Sequence, residues 1–396
     1  MTALPLSERL VTFSEDDAMI AESAAAFCRE RWPVAAVRAE LMSAPDASAD
    51  GFTSALWQDV VALGWTTLGI PEVHGGSGLG FSAAVSLVEA MGRQLAAWPI
   101  PASLLAAQAL QVPGVTPALA ADWLPRIAAG ARVALAILDD ADWGGAMVAC
   151  QATPASDHWV LSGDKPYVLD AEGADLLLVL AGCEDGTPVV ACVDRADGTA
   201  FTAAPHTLID ETRRAASLTL NGVAVPASHV ITGDAAIEMR RSLLVGGALL
   251  AAADATGAAQ AALNLTVQYL VNRTQFGRPI GSYQALKHPT VDALNAIESA
   301  RSLVYHAATL WSREGLSATT EVACRMAKVQ SAEALLFIGD RSVQFHGGMG
   351  FTYDCDAQLY LRRALFLHGH FGDPAHHRRR LGAMLALLTG ATTCND

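Results

Sequence analysis

The sequence has few charged and few aromatic residues. Charged side chains make up 17% and aromatic ones 6% of its 396 residues, and the formal net charge is −14. Nucleic acid is bound through clustered lysines and arginines, so this composition argues against it as a partner. No basic N-terminal region is followed by an apolar stretch and a cleavage site, so we see no secretory signal and expect a cytoplasmic protein.

The cysteines also lack a recognisable pattern. Seven are present, an odd number, and none forms a CxxC pair; they lie at positions 28, 150, 183, 192, 324, 355 and 394. Scattered cysteines of this kind are expected to be reduced thiols in the cytosol.

Apolar residues dominate, at 52% of the chain. A chain of this length is expected to form two or three domains. The stretch Leu243–Leu263 is long and apolar enough to resemble a membrane span. It contains Asp254 and Gln260 and is rich in Ala and Gly, so we predict a buried helix of a bundle and no membrane span.

The hydrophobic pattern changes twice along the chain. Residues 1–130 have helical periodicity, interrupted by glycine- and proline-rich loops. Residues 131–233 contain short β-branched or alternating segments separated by Gly, Asp and Pro, which is typical of a small antiparallel β domain. Residues 234–396 are again helical, with four or five long segments. We therefore predict an N-terminal α domain, a central antiparallel β domain and a C-terminal four-helix bundle.

A polar, turn-rich stretch, Arg273–His288, separates the first two long helices of the third region. It begins with Arg273, Gln275 and Phe276, which together offer a cation, an amide and an aromatic face within four residues. These groups suit a ligand that contains phosphate or a nucleotide. An ordinary solvated loop between helices is the alternative for such a short pattern.

The full sixteen residues closely resemble the signature of acyl-CoA dehydrogenases, flavoenzymes that desaturate acyl-CoA thioesters. Four further segments resemble motifs of that family in the same order, and they are Ile70–Gly80, Leu161–Ala181, Asp210–Arg214 and Gln344–Arg363. The resemblance covers nearly the whole chain. It implies the acyl-CoA dehydrogenase fold, FAD as cofactor and an oxidoreductase acting on CH–CH bonds.

In that family the stretch from Arg273 reaches the FAD of a neighbouring subunit. The resemblance implies that six residues of this chain contact such a flavin from outside its own subunit; they are Arg273, Gln275, Phe276, Gln344, Gly347 and Gly348. Glycine is needed where backbone must come close to a ligand. A plain helix-breaking turn is the alternative for the two glycines.

The contacts to the flavin ring within one subunit look degraded by comparison. The family has a hydroxyl where this chain has Leu138, and another near the flavin where this chain has Leu169. Leucine cannot donate a hydrogen bond. Tyr167 could still stack against the ring, so we include it among the cofactor-binding residues.

The catalytic base, which removes the α proton of the substrate, is missing from both positions that the family uses. These positions correspond to Phe371 and Gly247. Asp254 lies two helical turns beyond Gly247 on the same stripe, about 10 Å along the axis. It is either a displaced base or, as we favour, a hydrogen-bonded polar residue of the bundle.

Several histidines near the C-terminus do not suggest a metal site. They lie at positions 368, 370, 376 and 377, and their spacing matches no familiar ligand set. We interpret them as part of a solvated turn before a helix that starts near Arg378.

Three functions remain open from the sequence. The chain is a partner subunit that completes the FAD site of a related chain in a heteromeric acyl-CoA dehydrogenase, a homotetrameric enzyme with a displaced base, or a scaffold that no longer uses FAD. We prefer the first, because the residues offered to a neighbour are retained and those used within the subunit are lost. An acyl-CoA substrate, a homo- or heterotetramer and an electron-transfer flavoprotein as electron acceptor are the expected partners.

Overall fold

The first part of the chain is helical. The structure, a computed structural model, describes residues 15–42, 54–140, 143, 149–197 and 201–389. Within these ranges six helices precede the sheet, namely α1 (Glu15–Arg31), α2 (Val34–Met42), α3 (Ser54–Ala62), α4 (Phe81–Arg93), α5 (Ile100–Ala109) and α6 (Pro117–Ala128). Helix α4 is buried along almost its whole length and packs against both α1 and the C-terminal helices.

Among the residues that the structure describes, eight strands form one central sheet. They are β1 (Val133–Ala136), β2 (Gln151–Pro154), β3 (His158–Leu169), β4 (Leu176–Gly182), β5 (Pro188–Asp194), β6 (Phe201–His206), β7 (Ala215–Pro226) and β8 (Val230–Thr232). The order is β6-β7-β3-β2-β4-β5-β8, and β1 pairs with β4.

The sequence predicted an antiparallel sheet, whereas the observed sheet is mixed. Strands β1 and β2 both run parallel to β4, because the chain leaves β1, turns back through the antiparallel β2–β3 pair and re-enters in its original direction. Strand β4 is buried at every position. Its alternate residues enter two cores: Leu176 and Leu178 pack against the helices, whereas Leu177 and Val179 pack within the β domain. A strand buried on both faces is continuously apolar.

The C-terminal part is a bundle built around one long helix. Its helices are α7 (Gly233–Asn272), α8 (Gln284–Glu314), α9 (Ala318–His346), α10 (Ala357–Gly369) and α11 (Pro374–Thr389), and a short hairpin of β9 (Thr274–Gln275) and β10 (Arg278–Pro279) follows α7. Helix α7 is long and apolar enough to cross a membrane, but 94% of its most apolar window is buried inside the protein. The predicted α–β–α architecture is confirmed, while the domain boundaries at residues 130 and 233 stay a prediction.

Glycines let α4 and α7 approach each other closely. A Cβ atom added at Gly257 would lie 2.0 Å from the Glu89 carbonyl oxygen, and one added at Gly92 would lie 2.3 Å from the Asp254 carbonyl oxygen. Side chains at either position would force the two helices apart. Glu89 is buried in this contact and accepts hydrogen bonds from Arg93 and from Tyr305 of α8.

Candidate functional site

The hairpin after α7 projects from the end of the bundle. Its turn residues Phe276 and Gly277 have φ angles of 53° and 80°, the left-handed pair that a two-residue hairpin requires. Arg273, Gln275 and Phe276 are all exposed, and 90% of Phe276 is accessible. Within the described ranges Arg273 has no ion-pair partner. The three side chains singled out from the sequence are therefore available to another molecule.

The glycine-rich loop after α9 lies at the same end of the molecule. The ring of Tyr269, near the end of α7, stacks on the ring of His346 at the end of α9, with centroids 4.2 Å apart. A Cβ added at Gly347 or Gly348 would meet nothing within 4 Å, and Gln344 is exposed. The Gly347 N–H donates to the Gln344 carbonyl oxygen, and the surface over both glycines leaves room for a ligand to approach the backbone.

A cavity of about 700 Å³, including its mouth, lies far from that end, between α5, the β1–β3 side of the sheet, α7 and α10. Gly247 is on its wall and precedes Arg273 by about 39 Å along α7. A single small ligand cannot contact both the cavity and the hairpin of one chain. The two groups of predicted site residues thus belong to separate places on this molecule.

Gly247 and Phe371, which correspond to the two base positions of the resembled family, both line this cavity. The Phe371 ring fills the space next to Gly247. A Cβ added at Gly247 would lie 2.2 Å from a ring carbon of Phe371. The Phe371 ring packs on Trp143, with centroids 4.6 Å apart. No side chain fits at Gly247 while Phe371 keeps this position.

Asp254 also faces the cavity, but its carboxylate is held in a buried ion network. One Asp254 oxygen accepts from Arg213 at 2.5 Å, and the other accepts from Arg363 at 2.9 Å. Arg363, which is 0% exposed, also donates to Asp210 at 2.5 Å. Both oxygens of Asp254 are therefore occupied by guanidinium donors of buried arginines. Its role as a base stays a prediction, against which this environment argues.

The ion network gives a structural role to the Asp210–Arg214 segment, which the sequence identified only by resemblance. Asp210 accepts hydrogen bonds from the backbone and side chain of Thr212, and Arg213 donates to Asp254. Burial raises the pKa of Asp210, but the charges of Arg363 and Arg213 outweigh it and hold that pKa below its usual value. Arg213 and Arg363 were missed as site residues, because ion-pair partners 41 and 109 residues from Asp254 leave no local pattern.

The predicted flavin-ring residues are only partly brought together. Tyr167 and Leu169 line the cavity, whereas Leu138 is absent from its wall and Ile137 is present. Burial raises the pKa of the Tyr167 phenol, which therefore stays protonated. Asp139, which follows Leu138 in the chain, forms an ion pair with the buried Lys165 at 2.6 Å.

The C-terminal histidines are not in a solvated turn, and that interpretation was wrong. His370 lies on the cavity wall with its ring stacked on Phe366. His377 is buried in the first turn of α11, where its Nε2 is 3.0 Å from the Phe371 carbonyl oxygen. Burial and the charge of Arg213 hold the pKa of His370 well below its usual value, so the ring is neutral. Across the described ranges, no three His, Cys, Asp or Glu side chains are grouped as metal ligands.

Comparisons with known proteins decide the family. The model of the acyl-CoA dehydrogenase N-terminal domain matches residues 14–131, and that of the C-terminal domain matches residues 238–385. Acyl-CoA dehydrogenase IpdE2 of Mycolicibacterium smegmatis is 30% identical over 374 residues, which is 93% of this chain and 99% of the relative. The chain belongs to the acyl-CoA dehydrogenase family. FAD is the cofactor of this family, and its members are oxidoreductases.

Solved structures agree with this assignment. A variant of the Tcur3481–Tcur3483 steroid ACAD superposes with a TM-score of 0.83 at 29% identity, covering 95% of this chain and 99% of that one. An electron transferring flavoprotein structure of Acidaminococcus fermentans gives a TM-score of 0.84 at 25% identity, covering 95% and 99%. The fold and cofactor predicted from the sequence are confirmed for the family.

Proposed function

We propose that this acyl-CoA dehydrogenase chain is a partner subunit: it completes the FAD site of a related chain, and that other chain provides the base for α,β-dehydrogenation of an acyl-CoA thioester. The observation that carries the proposal is the Phe371 ring packed on Gly247, at a distance that admits no side chain there. A carboxylate at either family position is thereby lost, while the exposed hairpin and glycine-rich loop keep every predicted contact residue.

The retained residues suit the diphosphate and adenine end of FAD. Arg273 supplies an exposed cation for a charge-assisted hydrogen bond to pyrophosphate, and Phe276 supplies an exposed aromatic face. Gly347 and Gly348 leave open space beside them, so a ligand can come close to the backbone there. Bound FAD supplies the hydride acceptor of the reaction. The residues of this chain bind and orient it, and in the proposal they take no proton from the substrate.

A homotetrameric enzyme with Asp254 as a displaced base is the second candidate. It is favoured by one observation, that Asp254 lines the cavity. Its ion pairs with Arg213 and Arg363 count against it, because a general base near neutral pH must be free to accept a proton. A scaffold without FAD is the third candidate, and the retained hairpin residues argue against it.

Named relatives support the choice of partners. The steroid ACAD at 29% identity is named as a pair of gene products, and a match at 25% identity is described as an electron transferring flavoprotein. By analogy, we expect a heterotetramer with a related chain, electron-transfer flavoprotein as acceptor, a role in lipid metabolism and a cytoplasmic location. The acyl group is fatty, branched or steroidal.

Co-purification with a related acyl-CoA dehydrogenase chain, followed by flavin counting, tests the proposal. The chain alone should be colourless or hold little flavin, and the complex should hold one FAD for every two polypeptides. A yellow homotetramer with one FAD per chain and turnover of its own would contradict the partner-subunit function and favour the second candidate. A colourless complex that is stable without flavin would favour the scaffold.

A further inference from the structure

The turn between α10 and α11 (residues 370–373) has a strained backbone. Phe371 has a φ of 57° and Gly372 one of 99°. A bulky side chain thus occupies the left-handed region, which costs about 1–2 kcal/mol. The same turn places the Phe371 ring so close to Gly247 that an added Cβ would lie 2.2 Å from a ring carbon. A strained conformation of this kind persists only where surrounding contacts hold it in place.

A buried lysine from another helix provides one such contact. Lys328 of α9 is 1% exposed, and its Nζ donates to the carbonyl oxygens of Leu367 at 2.9 Å and His368 at 3.3 Å. Both carbonyls are in the last turn of α10, where a helix leaves its C=O groups without internal partners. The carbonyls on either side of them already accept from backbone N–H groups of the turn. Lys328 therefore completes the hydrogen bonding at the end of α10.

A hydrogen-bonded chain from α11 provides the second contact. His377 is 1% exposed, and its Nε2–H donates to the Phe371 carbonyl oxygen at 3.0 Å. Its Nδ1 accepts from Arg325 of α9 at 3.3 Å, because an arginine can only donate. Burial lowers the pKa of His377 from 6.5 to about 3, so this ring is neutral at neutral pH and holds the turn without a change of charge.

The charged groups around Lys328 provide no close counter-ion for it. On its own helix, the carboxylate of Glu321 pairs with Arg325 and also with Arg241 of α7. The carboxylate of Asp373, in the turn, faces Lys328, and within the described ranges the two form no ion pair. Asp373 also faces three basic side chains, namely His368, His376 and Arg379. The other titratable neighbours are the neutral rings of His370 and His377.

This site suits a neutral amine better than an ammonium group. An amine has two N–H donors, which match the two carbonyls, whereas an ammonium adds a third donor and a buried charge. Burial accordingly lowers the pKa of Lys328 from 10.5 to about 7. Between these two values, exposing Lys328 to water is accompanied by the uptake of one proton. Opening therefore becomes easier as the pH falls toward 7, and no easier below it.

We propose that Lys328 and the α10–α11 turn form a pH-sensitive latch, which the neutral lysine closes and the uptake of a proton releases. Release removes the contacts that hold the strained backbone at Phe371, so the ring is freed from Gly247. The latch is most firmly closed in mildly alkaline solution and looser at neutral pH. It goes beyond the proposed function, because it lies inside this chain and needs neither FAD nor a related chain.

Hydrogen exchange of the full-length chain tests the latch, with mass spectrometry of peptides that cover residues 366–373. Protection factors correct each rate for its intrinsic dependence on pH. They should fall about tenfold for each pH unit between about pH 9 and 7 and level off below, because opening takes up one proton. This window lies above the ordinary pKa of histidine. Lys328→Met, which cannot be protonated, should remove the dependence. Lys287→Met is the matched control, since this lysine is exposed on α8, and should leave it unchanged.

A second variant keeps the lysine and changes only the charge that faces it. Asp373→Asn preserves the cap of α11, where the Asp373 side chain accepts from the His376 N–H at 2.6 Å, because asparagine caps as well as aspartate. Without this carboxylate the ammonium form of Lys328 is less favourable, so the protection factors should go on falling below about pH 7 before they level off.

Three outcomes would overturn the latch. The first is protection of residues 366–373 that is independent of pH between about pH 9 and 7, and the second is a dependence that survives in Lys328→Met. The third is protection of the turn equal to that of buried α8 peptides, since the turn would then open only when the whole chain unfolds. A failed flavin count in the assembled complex contradicts the proposed function and leaves the latch unaffected.

Discussion

Replacing Asp254 by Asn separates a structural role of that carboxylate from a catalytic one. The side chain holds Arg213 and Arg363 at 2.5 and 2.9 Å inside the protein. Asn keeps the shape and one acceptor oxygen but loses the charge, so Arg363 and Arg213 are left to share Asp210. The structure therefore predicts that Asp254→Asn damages stability before it damages chemistry.

The expected loss can be estimated from the geometry. Removing one partner of a buried ion pair costs about 3–5 kcal/mol, because the remaining charge is uncompensated. The retained amide oxygen offsets part of this, so we expect the free energy of unfolding to fall by about 2–4 kcal/mol. Asp354→Asn removes the same charge from an exposed position and should change stability by less than about 0.5 kcal/mol.

The assay combines urea unfolding of the chain with dye-coupled acyl-CoA oxidation by the reconstituted complex, well below the unfolding transition. Turnover should stay within a few-fold of wild type, whereas loss of a general base lowers it by about a hundredfold or more. Asp210→Asn is the matched control, since it breaks the same network through Arg363 from outside the cavity wall. A hundredfold fall in Asp254→Asn alone, with unchanged stability, would refute the reasoning and make Asp254 the base.

Other predictions follow from separate parts of the structure. Arg273→Ala should lower the FAD content of the assembled oligomer by weakening a contact worth about 1.5–3 kcal/mol. Arg278→Ala is the control and should not lower it, because the Arg278 guanidinium lies 4.0 Å from a tyrosine ring centroid of its own chain. Equal flavin contents in the two variants would contradict the hairpin assignment. Light scattering at micromolar concentration should show an oligomer, and a single monomer peak with or without FAD would argue decisively against a site completed between chains. Gly247→Ala should destabilise the chain by about 1–3 kcal/mol through overlap with the Phe371 ring, and by clearly less in a Phe371→Leu background. Burial lowers the pKa of Lys328 from 10.5 to about 7. Above pH 7 the unfolded chain therefore binds a proton that the folded chain lacks, and the stability contributed by this lysine rises with pH. The stability gain of Lys328→Met over wild type should shrink by about 2–3 kcal/mol between pH 6.5 and 9, and a gain that is independent of pH would contradict this pKa.

Much of the fold and the exposed half of the site could be predicted because the signals are local. The hairpin depends on the left-handed turn at Phe276 and Gly277, which adjacent residues encode. The resemblance predicts that the family's two base positions fall on Phe371 and Gly247, and these two residues are in contact in the structure. In each case, a few neighbouring residues contain enough information to identify the feature.

The interior half of the site could not be predicted, because it depends on contacts between distant elements. Asp254 acquires its partners only when α7 packs against α10 and the segment before β7. His370 reads as a loop residue in the sequence, yet the packing of Trp143 and Phe366 around it makes it part of a cavity wall. The parallel pairing of β1 with β4 likewise depends on chain direction after a crossover, which no local pattern records.

The two predicted base positions, Phe371 and Gly247, are packed together in the cavity wall. Phenylalanine at position 371 requires glycine at position 247, since a single methyl there would overlap the ring, and the ring in turn packs on Trp143. Because these aromatic rings fill the space, a carboxylate side chain introduced at position 247 or 371 alone would disturb the packing of the core. At the other end of the bundle, Phe276 is 90% exposed, so its ring is available to another molecule. The cavity and the hairpin lie at opposite ends of the bundle, so changes in this chain's own cavity leave the hairpin free to serve another chain. A dedicated partner subunit requires this separation.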